Sequence, residues 1–211
     1  MANTTWNLAD KSTVITLSGL NLVATANTAS ASGGVRTIAS LTGVKLYFEI
    51  TLTSLGGGGL YSGIASATAS VITAPGGAGT VTVASTSGNI LVGGAASGVS
   101  LAAFSAGQIV CAAADLIGNL VWFRKGAAGL WNNNAANNPA TGVGGISISS
   151  IFGATPAFGY SAFQVVANGT SLSANFGDSA FTGVVPSGFL AGFPTVAPPV
   201  TTAQARAMIL A

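Results

Sequence analysis

Glycine, serine, threonine and asparagine punctuate this chain so often that no apolar stretch is long enough for a packed helix. Thirty of the 211 residues are glycine. Between the breaks lie short runs rich in Val, Ile, Leu, Phe and Tyr, the mark of strands rather than helices. The runs cover residues 13–17, 20–24, 34–38, 45–52, 60–65, 80–84, 89–92, 108–115, 120–124, 156–160, 164–167 and 171–175. None has an amphipathic helix period, and Gly, Thr and Val interrupt the Ala-rich stretches that propensity alone would favour as helix. The spacing predicts an all-β fold, an antiparallel two-sheet sandwich or a barrel.

The segment 110–126, VCAAADLIGNLVWFRKG, is the sharpest local signal. Ile117-Gly118-Asn119 reads as a tight turn in which Gly and Asn tolerate positive φ. On the return strand Leu120, Trp122 and Arg124 point one way, and Val121, Phe123 and Lys125 the other. This is a hairpin buried on at least one face. Ser18-Gly19 marks a second hairpin.

Charge is nearly absent: six basic and four acidic residues make 5% of the chain, against about 25% in an average soluble protein. Disordered chains are usually highly charged and poor in aliphatics, so disorder is excluded. A surface this poor in charge is coated with small hydroxyl and amide residues, covered by other subunits, or both; a low-charge soluble monomer is the plain alternative. A net charge of +2, with Arg124-Lys125 as the one adjacent basic pair, cannot track a phosphate backbone, so no nucleic-acid partner is expected.

Cys111 has no second cysteine to pair with and sits in an apolar alternating run, which reads as an inert buried thiol. The first residues lack a basic region followed by an apolar core, so no secretion signal is expected and the chain is placed in a cytoplasm during synthesis. Residues 99–123 are apolar, but Asp115 and the Gly118-Asn119 turn argue against a membrane span. Two parts follow: a body over 1–192 and a proline-rich arm with a short helix over 193–211, capped by Thr201 or Thr202. The arm's Pro198, Pro199, Arg206, Met208, Ile209 and Leu210 are the candidate assembly contacts, docking on the chain's own body or on a neighbour.

For chemistry the inventory is thin. There is no histidine, and Asp10, Glu49, Asp115 and Asp178 are scattered. Glu49 and Asp115 could meet across neighbouring strands, or each could pair with Lys45, Arg36 or a backbone amide. The serines and threonines lack a candidate general base. No catalytic, metal or cofactor residue is expected, and the protein is read as non-enzymatic. Binding is left to loops at 56–59, around 75–79 and at 131–139. Trp131 beside Asn132, Asn133 and Asn134, with Asn137 and Asn138 further on, offers an aromatic face next to amides, suited to a sugar or a peptide. Alternatively Trp131 closes the core and the asparagines solvate a turn.

Val44-Lys45-Leu46-Tyr47-Phe48-Glu49-Ile50, Gly63-Ile64-Ala65, Gly107-Gln108-Ile109-Val110 through Asp115, and Leu120 through Gly126 follow one another in the order found in SPRY domains. Leu172 through Gly177, then Phe181 and Pro186-Ser187-Gly188-Phe189, resemble that family's closing strands. The resemblance covers about residues 5–190 and departs where Gln108 replaces an Asp and in the Gly-Ala-rich stretch 66–104. It implies a concanavalin A-like β-sandwich used as a binding module through loops at one end. The segment Asn-Pro-Ala-Thr-Gly at 138–142 resembles SPRY-like variants of bacteria and their tailed phages. The expectation that follows is a virion surface protein, a capsid decoration, head fibre or tail component that assembles with itself or with neighbouring virion subunits. The alternative is a soluble recognition module that binds a protein or glycan, such as a host-surface molecule, through loops near Trp131.

Overall fold

A computed structural model describes residues 3–29, 31–72, 76–152 and 155–195. In chain order its strands are β1 (Trp6–Lys11), β2 (Ile15–Ser18), β3 (Val23–Ala26), β4 (Ala31–Leu41), β5 (Lys45–Ser54), β6 (Gly59–Ala65), β7 (Thr80–Ala84) and β8 (Asn89–Val92). They continue as β9 (Ala95–Ser100), β10 (Ile109–Asp115), β11 (Leu120–Lys125), β12 (Ile146–Ser147), β13 (Ala157–Val166), β14 (Ser171–Asn175) and β15 (Leu190–Ala191). The only helical pieces among the described residues are two single 3₁₀ turns, Trp131–Asn133 and Pro139–Thr141.

The strands form two sheets, ordered β1-β4-β13-β6-β7-β8-β9 and β12-β11-β10-β5-β14-β3-β2. Every ladder is antiparallel except the short pairing of β15 with β5. The expected antiparallel two-sheet sandwich is the fold observed. Its core is made by alternate residues: Leu46, Phe48, Ile50 and Leu52 of β5 and Val110, Ala112 and Ala114 of β10 meet Val35, Leu60, Ile64, Val81 and Phe163 of the other sheet. A period of two sends every second side chain inward, and a slip by one residue would turn each of them out.

Some strands differ from their sequence-based bounds. The runs 156–160 and 164–167 are one strand, β13, because β4 and β6 pair with it on both sides across the intervening Ser161, Ala162 and Phe163. β1 and β9 carry too few β-branched residues to stand out (WNLADK and AASGVS) and are extended because each finds a partner edge. At the hairpin turn Asn119 takes φ 53°, while Gly118 stays out of the left-handed region. The stretch 99–123 folds as the end of β9, then β10, a turn and β11. Among the described residues no helix is long and apolar enough to cross a membrane.

Phe193, which the sequence reading puts at the start of the arm, is fully buried. It packs in an aromatic cluster with Phe48 (ring centroids 6.2 Å apart) and Phe176 (6.1 Å), and Phe176 meets Trp6 edge to face at 4.9 Å. Its amide donates to Phe176 O at 2.7 Å. The sandwich therefore includes this residue. The candidate arm contacts Pro198, Pro199, Arg206, Met208, Ile209 and Leu210 lie outside the described residues. Truncating a fully buried phenylalanine costs about 3–5 kcal/mol. Phe193→Ala is expected to lower unfolding stability by that amount, as read from the urea midpoint at unchanged m.

Candidate functional site

In most two-layer sandwiches the outer face of a sheet is wet; here one outer face is buried as well. β5, β10 and β11 are adjacent, and their register aligns three cross-strand rows on the face turned away from the core. Glu49, Cys111 and Arg124 form the first row; Tyr47, Ala113 and Trp122 the second; Lys45, Asp115 and Leu120 the third. The middle strand contributes small side chains to the first two rows, which leaves a trough between the large ones.

Two loops fill that trough. One follows β11 and carries Trp131; the other runs from β14 to β15 and carries Phe181, Val185 and Phe189. Phe181 meets Tyr47 edge to face at 5.0 Å, Trp131 meets Tyr47 at 6.3 Å, and Phe189 meets Trp122 at 6.4 Å. The second loop is closed at its base. β14 pairs with β5 up to Glu49 and β15 resumes on β5 at Leu46, so the chain leaves this edge and returns to it. Gly192, at the returning foot, has φ 111°, and a Cβ there would stand 2.2 Å from Phe176 O. Only glycine fits that foot.

The polar row is satisfied by loop backbone. Glu49 is buried, and its Oε1 accepts from Tyr47 Oη (2.6 Å) and the Gly183 amide (2.8 Å), while Oε2 accepts from the Thr182 amide (3.0 Å). Arg124 donates from Nη2 to Val184 O at 3.1 Å. Its guanidinium carbon lies 4.3 Å from the Trp131 ring centroid, a cation–π contact shielded from water. Backbone groups of three consecutive residues, 182 to 184, are thus held by two buried charges. Cys111 donates weakly to Glu49 Oε1 at 3.9 Å. Burial pushes the Cys111 thiol up, and burial with hydrogen bonding to Cys111 and Glu49 pushes the Tyr47 phenol up, so both keep their protons at neutral pH.

The asparagines of the first loop turn much of their bonding capacity inward. Asn132 is buried: Oδ1 accepts from Phe123 N (2.9 Å) and Nδ2 donates to Val121 O (3.2 Å) and Gly144 O (2.9 Å). β12 covers β11 only at Leu120 and Val121, so this amide takes a partner strand's place at Phe123. Asn132 and Asn133 adopt left-handed backbone, which asparagine tolerates. Asn134 Oδ1 accepts from Ala136 N, Asn137 Nδ2 donates to Trp131 O, and Asn138 caps the Pro139–Thr141 turn through Ala140 N. Trp131 is half-buried between Arg124 and Tyr47. Asn133, Asn134 and Asn138 are exposed.

The structure brings the Trp131 loop together with residues 178–190; Phe181 and Pro186-Ser187-Gly188-Phe189, which in sequence resemble closing strands, lie in the loop before β15 instead. The 56–59 loop is elsewhere. It follows the far end of β5, seven residues beyond Tyr47 or about 24 Å along the strand at about 3.4 Å per residue. Of the partners open to Glu49 in the sequence, the backbone amide is the one observed, and the sequence signal for it is a lone carboxylate inside the apolar run LYFEITL. A buried carboxylate requires donors, and these had to come from elsewhere in the chain.

Glu49 and Asp115 share this face but do not form an acid–base pair. Four residues of β5 separate their rows, about 14 Å, which exceeds the spacing of glycosidase carboxyls. Asp115 pairs with Lys45 (2.8 Å) and accepts from the Ile117 and Gly118 amides at 3.0 and 2.8 Å. Arg36 pairs with Asp10 at 2.7 Å. Among the described residues no group of His, Cys, Asp and Glu could hold a metal ion.

The fold is shared with known structures. The SPRY domain of human HERC1 superposes with a TM-score of 0.61 at 11% identity, over 80% of this chain and 96% of that one. The TRIM65 PSpry domain gives 0.55 at 14% identity, over 82% and 92%. No family model and no curated protein matches the sequence. The class defined here is the SPRY-type β-sandwich.

Two outcomes follow. A Cβ on Gly183 would stand 2.4 Å from Arg124 Nη2 and 2.6 Å from Tyr47 Oη. Gly183→Ala should therefore lift the loop off the sheet and cost about 1–3 kcal/mol, seen in urea unfolding and as faster amide exchange at residues 182 and 183. The second concerns acid. Burial raises the Asp115 carboxyl, but the Gly118 amide, Lys45 and the Ile117 amide together outweigh it and hold it below its ordinary value. A depressed folded-state pKa stabilises fully above the unfolded value of about 3.9, and that stabilisation is lost as pH falls through the folded one. The urea midpoint should drop on acidification below about pH 4, and drop less steeply in Asp115→Asn.

Proposed function

We propose that this chain is a recognition module that binds a protein partner through the two loops, 126–145 and 178–190, that cover the outer face of β5, β10 and β11. The observation that carries this reading is the way the loops are held. Asn132 ties one to β11 with two hydrogen bonds and to its own far end at Gly144 with a third, and Glu49 and Arg124 hold backbone groups of three consecutive residues of the other. Loops fixed in advance lose little entropy on binding, and rigid sheets that present such loops are a common form of binding surface. The SPRY-type fold supports the same reading, since the resemblance implies a binding module. Trp131, Asn133, Asn134 and Asn138 lie on the first loop and are proposed contacts.

The test is selection of peptides from a random displayed library on the intact protein, beside a glycan array. Peptide binders that weaken at least tenfold on Trp131→Ala, and not on Ile38→Asp on the other sheet, support the reading. Glycan binding without peptide binding would replace the protein partner with a carbohydrate.

Self-assembly, with a virion surface as its proposed setting, is the second reading, and one observation favours association between copies. Among the described residues every basic side chain is engaged: Lys11 with Ile15 O, Arg36 with Asp10, Lys45 with Asp115, Arg124 with Val184 O and Lys125 with Ala103 O. A surface with so little free charge gives weak repulsion between copies. Sedimentation of the full chain against a 198–211 deletion tests it, with loss of a homo-oligomer as the supporting result.

A further inference from the structure

From the same two loops we infer the chemistry of the partner: an uncharged, apolar peptide segment that seats on Val184, Leu130 and Val143. This rests on the recognition reading above and goes further than it.

Val184 is the most exposed aliphatic side chain of the site, at 81%, and Leu130 and Val143 are each 50% exposed. The hydrogen bonds of β11 place them near one another. Arg124 holds Val184 O, and Trp122 Nε1 donates to Val143 O at 2.9 Å. Trp122 and Arg124 are alternate residues on one face of β11, about 7 Å apart. Leu130 precedes Trp131, whose ring lies over Arg124. The backbone of Val184 and Val143, and the ring of Trp131 beside Leu130, are therefore gathered over one short stretch of strand.

Val184 and Val143 are held by backbone that is already fixed. The Val184 carbonyl is bound by Arg124 and the two preceding amides by Glu49. Val143 N and Asn138 N both bond across the bridge between those residues. A β-branched side chain on pinned backbone loses little freedom when covered, so burying it in a partner is almost pure gain.

Charge decides what the partner can be. The two ionic groups beneath the patch are used internally: Glu49 and Arg124 are buried. Lys45 and Asp115, in the third row, neutralise each other. Asp178, at the start of the second loop, is the exposed carboxylate of this region. Apart from Asp178, a charged partner would lose hydration here and find no counter-charge to replace it. An apolar, uncharged segment loses nothing comparable. The exposed amides of Asn133 and Asn134 can meet its peptide groups.

The experiment uses the intact chain and the displayed random-peptide library, with affinities of enriched peptides measured in ~0.1 M and ~1 M salt, where the Debye length falls from about 10 Å to about 3 Å. Enriched peptides are expected to be poor in Asp, Glu, Lys and Arg, with Kd changing less than about twofold between the two salts. Val184→Asp should weaken them at least tenfold and Val184→Ile should keep them; Leu130→Ser is the second probe. Charged peptides that still need Val184 and weaken tenfold or more in high salt overturn the inference and leave the recognition reading standing. Absence of any enriched peptide overturns both. A concentration-dependent dimer abolished by Val184→Asp would assign the patch to a second copy of the chain and overturn the peptide segment as its occupant.

Discussion

Glu49 is a carboxylate buried on β5, and a group of that kind is tolerated in a protein interior only when its oxygens are supplied with donors. The phenol of Tyr47 and two backbone amides meet that demand here. Because the amides belong to residues 182 and 183, satisfying Glu49 also positions the loop between β14 and β15. Arg124, two strands away in the same row, takes the next carbonyl and is covered by Trp131. Without these contacts the outer face of β5, β10 and β11 would open to water, and Phe181, Val185 and Phe189 would lose their bed. Removing either charge would strand its own backbone partners in a dry site, which is costly for buried polar groups.

The small residues of β10 are as necessary as the charges. Ala112 and Ala114 let the core of the sandwich close on one side, and Cys111 and Ala113 make the trough on the other. A larger residue at 113 would meet Phe189 and Trp131 before they reached Tyr47 and Trp122. The run VCAAAD is therefore a strand whose two faces serve two different packings. That accounts for an alanine content which propensity alone would assign to a helix.

Scarce charge becomes intelligible once its placement is known. The described ionic side chains are tied to one another, to backbone carbonyls or, for Glu49, to backbone amides and a phenol, and Asp178 is the exposed exception. They serve the fold: Lys11 covers the Ile15 carbonyl beside β2, Arg36 gathers the carbonyls of residues 66, 67 and 69, and Asp115 shapes the β10–β11 turn. What is left for the surface is small, neutral and in places aliphatic. In the proposed recognition role such a surface would act by shape and apolar contact rather than by electrostatic steering.

Much of this was legible in the residues. Glycine and β-branched spacing define the strand-rich class, the alternation Leu120, Trp122, Arg124 against Val121, Phe123, Lys125 assigns the faces of β11, and the ordered fragments from Tyr47 to Gly177 resemble a SPRY sandwich. These are local properties, set by φ/ψ preference and by a period of two. The joining of β13 through residues 161–163, the extension of β1 and β9, the inward turn of Asn132 and the burial of Phe193 were not legible, because each depends on a partner distant in sequence. The same holds for the site: composition marks the Trp131 loop, but only tertiary contact sets Thr182, Gly183 and Val184 against Glu49 and Arg124. Local chemistry determines which segments are strands, whereas long-range packing decides which charges are buried and so which loops are held still.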